Sequence, residues 1–158
     1  MFLKPDYNLK NVYEIDFNEL KNQGIECIMF DLDSTLMVSK SGEFTEKTKE
    51  WFKTFLSDFK VVIVSNNKKK SYIEKASAIA PCDVIGCANK PNPKVMSKYL
   101  KSIDVEPCKS VMVGDRPLTD ILAGKLLGCK TILVGSINPN ENLPTKVVRA
   151  IERSTIRK

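Results

Sequence analysis

Five short segments of the chain are almost continuously apolar, and helical patterns separate them. They are IECIMF (25–30), KVVIVS (60–65), CDVIG (82–86), SVMVG (110–114) and KTILVG (130–135). A strand with one wet face alternates apolar with polar residues, whereas a strand covered on both faces does not. Between the runs lie segments that read as helices. Residues 45–59 place Trp51, Phe52, Phe55 and Leu56 on one face, and 68–80 form a basic helix stopped at Pro81. Residues 91–103 carry prolines in a first turn, and 119–128 end at Gly128. The alternation predicts a single-domain, Rossmann-like α/β fold. Its five-stranded parallel sheet carries helices on both faces. A length of 158 residues suits one such domain. Residues 25–135 form the expected catalytic core. Residues 1–24 are an N-terminal extension with a short helix, begun at Asp16 with Glu19 three positions on and ended at Gly24. Residues 136–158 are a loop followed by a basic C-terminal helix over 145–154.

In open parallel sheets, ligands bind beyond the carboxyl ends of the strands. The residues found there are chemically pointed. The first run leads into Asp31-Leu32-Asp33-Ser34-Thr35, the second into Ser65-Asn66-Asn67 and the third into Lys90. The fourth leads into Gly114-Asp115, with Thr119-Asp120 following. Two carboxylates one residue apart at a strand end repel each other unless a cation, a shared proton or open water compensates.

Composition narrows the chemistry. The chain has no histidine, which excludes Ser-His-Asp triads and His-ligated metals. Five cysteines with no CxxC pair favour buried thiols in a reducing compartment over disulfides or zinc. The N-terminus MFLKPDYNLK has no signal-peptide core, and the longest apolar runs cannot span a bilayer. The cytosol is the expected location, with peripheral attachment to the inner face of the membrane if the basic helices engage it. A net charge of +6 fits an anionic partner or simple solubility.

The residue set suits hydrolysis of a phosphate monoester. A carboxylate can attack phosphorus and form an aspartyl-phosphate, which splits a very slow reaction into two steps. Attack of an anion on a dianion calls for a metal, and Asp31 with Asp115 offers the hard oxygen donors that Mg²⁺ prefers. Asp33 is placed to protonate the leaving oxygen and then to take a proton from water. Ser65, its neighbouring amides and Lys90 are placed for the equatorial phosphate oxygens. Asn66 either orients this phosphate-binding loop or is a turn residue. Lys94 competes with Lys90 for the lysine role.

These residues resemble the four motifs of the haloacid dehalogenase superfamily. DLDST resembles DxDxT, Ser65 in VVIVSNN and Lys90 in NKPNP resemble the second and third motifs, and GDRPLTD resembles GDxxxxD. The resemblance implies that Asp31 is nucleophile and metal ligand. It makes Asp33 the acid/base, with a ligating main-chain carbonyl, and Asp115 the remaining acidic ligand. Asp120 becomes an outer partner of the metal site, and Ser65 and Lys90 the phosphate-binding pair. The gaps from Thr35 to Ser65 and from Ser65 to Lys90 leave no room for a cap domain. PDYNLKNVYEID, VSNN, NKPNPK and MVGDRPLTDILAGKLLGCKTILV together resemble the YqeG family of capless, class III phosphatases. That family is similar to the phosphatidylglycerophosphate phosphatases of phosphatidylglycerol synthesis. An anionic phospholipid at a membrane surface is therefore the expected substrate. The alternatives are a soluble metabolite, a nucleic acid end, or a phosphate-binding module without catalysis. Nucleic acid is disfavoured because no aromatic-basic stacking motif is visible. Arg116, beside Asp115, either contacts a further anionic group or lies on the surface. The sequence leaves the oligomeric state open.

Overall fold

The computed structural model describes residues 3–137. Among these residues, six strands form one sheet: β1 (Tyr7–Leu9), β2 (Cys27–Phe30), β3 (Lys60–Val64), β4 (Asp83–Ile85), β5 (Ser110–Gly114) and β6 (Lys130–Val134). Their order is β1-β6-β5-β2-β3-β4, and every pairing is parallel. The sheet thus has one strand more than the sequence predicts. Tyr7–Leu9, read as part of an extension, pairs with Ile132–Val134 at the edge. The run is three residues long with an exposed Asn8 at its centre, so it carries no apolar signature. It is held from its first turn outward. Asp6 Oδ2 accepts the Thr131 N–H at 2.8 Å and lies 3.1 Å from the Thr131 hydroxyl.

Side-chain alternation divides the core into two layers. Ile28 and Phe30 of β2, with Ile63, Val111, Val113 and Ile132, face one side. There they meet helices α1 (Phe17–Asn22), α2 (Glu46–Lys53) and α3 (Lys70–Ile79) through Leu20, Trp51, Phe52 and Ala76. Cys27 and Met29, with Val62, Val64 and Met112, face the other side. They meet α4 (Lys94–Ser102) and α5 (Leu122–Leu127) through Met96, Leu100 and Ala123. All four residues of β2 are buried because neighbours cover both its faces and both its edges.

Local chemistry sets the helix ends. Asp16 caps α1 by accepting the Glu19 N–H at 3.0 Å, and Thr45 caps α2 by accepting the Thr48 N–H at 3.2 Å. Helix α2 is shorter than expected because the Thr54 hydroxyl and N–H both bond to the Trp51 carbonyl. Phe55 then reaches the aromatic cluster from the turn beyond, its ring 4.0 Å from that of Phe17. Helix α3 also starts later than its lysines suggest. Lys68 and Lys69 precede it, and only Lys70 lies inside its first turn. The Asn67 side chain instead accepts the Lys69 N–H at 2.8 Å. Helix α2 and strand β3 lie between Thr35 and Ser65, and α3 and β4 between Ser65 and Lys90. No cap is inserted in either gap. The helix expected over 145–154 lies outside the described residues.

Candidate active site

The ends of β2, β4 and β5 converge on one cluster of charges. Asp31 follows β2 directly and keeps its strand register, its N–H donating to the Val113 carbonyl at 2.9 Å. Asp115 follows β5 and is fully buried. Asp120 sits in the wide turn Pro117–Ile121 that opens into α5, and is also buried. Carboxylate oxygens of Asp31, Asp115 and Asp120 lie within 4.8 Å of one another. Lys90 enters this group from the loop after β4. Its Nζ donates to Asp31 Oδ1 at 2.8 Å and to Asp120 Oδ1 at 2.7 Å. Lys94 is exposed at the start of α4 and has no part in the cluster. The Thr35 hydroxyl lies 3.0 Å from Asp115 Oδ1 and 3.4 Å from Asp31 Oδ2, tying these two acids together.

Charges so close in a largely buried site cannot be independent. Burial raises the Asp120 carboxyl to about 6, with repulsion from Asp31 adding to it and Lys90 pulling the other way. Burial alone would lower the Lys90 ammonium, but Asp120 and Asp31 outweigh it and raise it to about 12. One ammonium shared by two carboxylates satisfies neither completely, and Asp115 adds a third acid. The donor set is three hard carboxylates with excess negative charge, which fits a divalent cation such as Mg²⁺.

The loop after β3 holds the lysine in place. Ser65 is buried, its N–H bonds to the Ile85 carbonyl at 2.8 Å, and its carbonyl accepts the Ala88 N–H at 3.0 Å. Asn66 grips the Lys90 main chain from both sides. Its Oδ1 accepts the Lys90 N–H at 2.7 Å, and its Nδ2 donates to the Lys90 carbonyl at 2.9 Å. The Asn66 side chain therefore orients the loop that carries Lys90.

A family model described as HAD-hydrolase-like matches residues 87–151. The probable phosphatase YqeG of Bacillus subtilis (strain 168) is 31% identical over 153 residues, covering 96% of this chain and 88% of that protein. The chain belongs to the YqeG family of haloacid dehalogenase-like phosphatases. Solved structures share the fold. An uncharacterized protein from Listeria monocytogenes serotype 4b aligns with TM-score 0.61 at 17% identity, covering 76% of this chain and 85% of that one. A putative HAD-like phosphatase from Mesorhizobium loti aligns with TM-score 0.58 at 20% identity, covering 82% and 87%.

In this YqeG-family chain, Asp33 stands apart from the three-acid cluster. Its Oδ1 accepts the Tyr72 hydroxyl at 2.6 Å and the Lys40 N–H at 2.9 Å. Tyr72, on α3, is a site residue that sequence reasoning missed, because a tyrosine on a helix face gives no signal of which loop it meets. Thr35 was visible only as the last letter of a motif, and its bridging of two acids emerges from the fold. Arg116 contributes its main-chain N–H to Asp120 Oδ2 at 3.1 Å.

Proposed function

We propose that this chain hydrolyses a phosphate monoester with Mg²⁺ through an aspartyl-phosphate, and that its substrate is phosphatidylglycerophosphate. The observation that carries the mechanism is the Lys90 ammonium lodged between Asp31 and Asp120, with Asp115 alongside. The nucleophile thereby sits at a strand end, next to a fixed positive charge. Asp31, Asp115 and the main-chain carbonyl of Asp33 would hold the cation. Bound there, Mg²⁺ supplies Lewis-acid neutralisation of phosphoryl charge. An Asp31 oxygen attacks phosphorus, the P–O bond to the leaving group breaks, and Asp33 gives its proton to the departing oxygen. Water then attacks the aspartyl-phosphate, Asp33 takes the proton, and phosphate departs. Ser65 and Lys90 bind the equatorial oxygens during both transfers. Asp120 holds Lys90 for that task.

Support for the lipid comes from the open site and its surroundings. Among the described residues no cap closes over the cluster, and Lys68, Lys69 and Lys70 are exposed immediately after the Ser65 loop. Membrane contact would be peripheral, since no helix among the described residues is long and apolar enough to cross a bilayer. Phosphate release from phosphatidylglycerophosphate in mixed micelles tests the reading, with wild type, Asp31→Asn and an EDTA control alongside an aryl phosphate. Turnover of the lipid that is lost in Asp31→Asn and in EDTA is the expected result. Turnover of the aryl phosphate alone would keep the mechanism and remove the lipid, and the search would move to soluble phosphate esters.

A further inference from the structure

The Asp33 carboxylate is not held by its own loop alone. One oxygen, Oδ1, receives the Tyr72 hydroxyl from α3 and the Lys40 N–H from the segment beyond β2. At 2.6 Å, the first contact is at the short end of the range for an O–H bond to an oxygen acceptor. Tyr72 is itself fixed. Its ring is half-buried against the main core, and its hydroxyl lies 3.6 Å from Met37 Sδ. We propose that Tyr72 is the positioning residue for Asp33, setting where this carboxylate sits relative to the leaving oxygen. The proposal rests on the acid/base reading of Asp33 given above.

The physical reason is that a proton must be delivered at hydrogen-bond range, and a misplaced donor loses much of its effect. Asp33 lies beyond the strand end, after which the chain turns through Ser34 at φ +69°. A turn of that kind fixes the main chain but leaves the side chain its own rotation. Tyr72 and Lys40 remove that freedom from two directions, and of the two only Tyr72 acts through a side chain. It also ties the acid/base group to the helix that follows the Ser65 loop.

The test compares wild type, Tyr72→Phe, Asp33→Asn and the double variant with Mg²⁺ in first-turnover measurements. Two substrates are used: phosphatidylglycerophosphate, whose alkoxide leaves poorly, and p-nitrophenyl phosphate, whose phenolate leaves without acid help. Tyr72→Phe is expected to slow cleavage of the alkyl ester about tenfold, with KM altered less than about twofold, and to leave first-turnover release of nitrophenol nearly unchanged. The double variant is expected to be no slower than Asp33→Asn alone. Equal slowing of both substrates by Tyr72→Phe, or a full further loss in the double variant, would overturn the proposal. Thermal unfolding gives a readout independent of turnover. The midpoint of the double variant should lie no lower than that of the weaker single variant, whereas additive losses would also count against the coupling. Asp33→Asn tests the underlying reading separately. If it shows no preference between the two leaving groups, the acid/base role fails and the proposal falls with it.

Discussion

Gly114 shows how little room the acidic cluster leaves. A Cβ added there would lie 2.3 Å from both Cγ and Oδ2 of Asp120, closer than real contacts allow. Asp120 cannot yield easily, because it is buried with Lys90 on one oxygen and the Arg116 N–H on the other. Gly114→Ala is therefore expected to destabilise the protein by about 2 kcal/mol, in the range for overpacking, and to suppress turnover by displacing Lys90. Thermal unfolding and a phosphate-release assay measure both. Gly24 provides the contrast. Its φ is +81° but nothing lies within 4 Å of an added Cβ, so Gly24→Ala should cost about 1 kcal/mol from conformation alone and spare turnover. Lys90 sets the other limit. Lys90→Met would leave Asp31 and Asp120 facing each other, and the loss of a buried partner typically costs about 3–5 kcal/mol. Because burial already raises the Asp120 carboxyl to about 6, that group takes up a proton as pH falls. The stability deficit of Lys90→Met should therefore narrow between neutral and mildly acidic pH, as chemical denaturation at several pH values would show.

At the scale of elements, the N-terminal strand depends on a clamp that can be titrated. Burial pushes the Asp6 carboxyl up. The Thr131 N–H bond and the Lys125 charge outweigh it, and the group ends below its ordinary value. A lowered carboxyl stabilises the fold above its unfolded pKa, and that contribution is lost as pH falls through the folded value. Asp6→Asn should thus lower stability by about 1 kcal/mol at neutral pH, toward the weak end because Asp6 and Lys125 are partly exposed to water. The difference from wild type should shrink below about pH 4. This strand also marks where the sequence stops being legible. The interior strands were readable because burial on both faces forces uninterrupted apolar runs. The edge strand β1, with exposed Asn8 between two half-buried residues, has no apolar run to show, and its partner, Ile132–Val134, lies more than 120 positions away. The charged cluster was readable for a related reason: Asp31, Ser65, Lys90 and Asp115 each follow an apolar run within a few residues. Tyr72 follows none. Its role depends on how α3 packs over the turn after β2, a tertiary fact with no local spacing behind it. The placement of Lys68 and Lys69 before α3 was hidden likewise, because the Asn67 turn, not helix propensity, decides where the helix begins.

For the whole molecule, the lipid substrate proposed above requires a site with no cap among the described residues to meet an anionic surface. A net charge of +6 draws the protein toward anionic interfaces in general, but orientation requires that cations lie on the same side as the site. The parallel topology provides this, since every strand delivers its carboxyl-end loop to one rim of the sheet. Lys68, Lys69 and Lys70 lie on that rim, two residues beyond Asn66, whose side chain holds Lys90. Lys70 approaches Glu74 only at 3.7 Å, with both side chains largely exposed, so that pair offers little competition for an anionic surface. Each basic residue near an anionic bilayer contributes about 1 kcal/mol. Replacing all three lysines with glutamine should therefore weaken sedimentation with phosphatidylglycerol vesicles about 100-fold at low salt, by the relation of about 1.4 kcal/mol per tenfold. Wild-type binding should itself fall steeply as salt is raised, because exposed charges are screened within about 10 Å at 0.1 M. Turnover should follow the same order, falling far more on vesicle-borne phosphatidylglycerophosphate than on a soluble aryl phosphate. Equal losses on the two substrates would assign these lysines to the phosphoryl site itself, and undiminished vesicle binding would move the docking face elsewhere on the molecule.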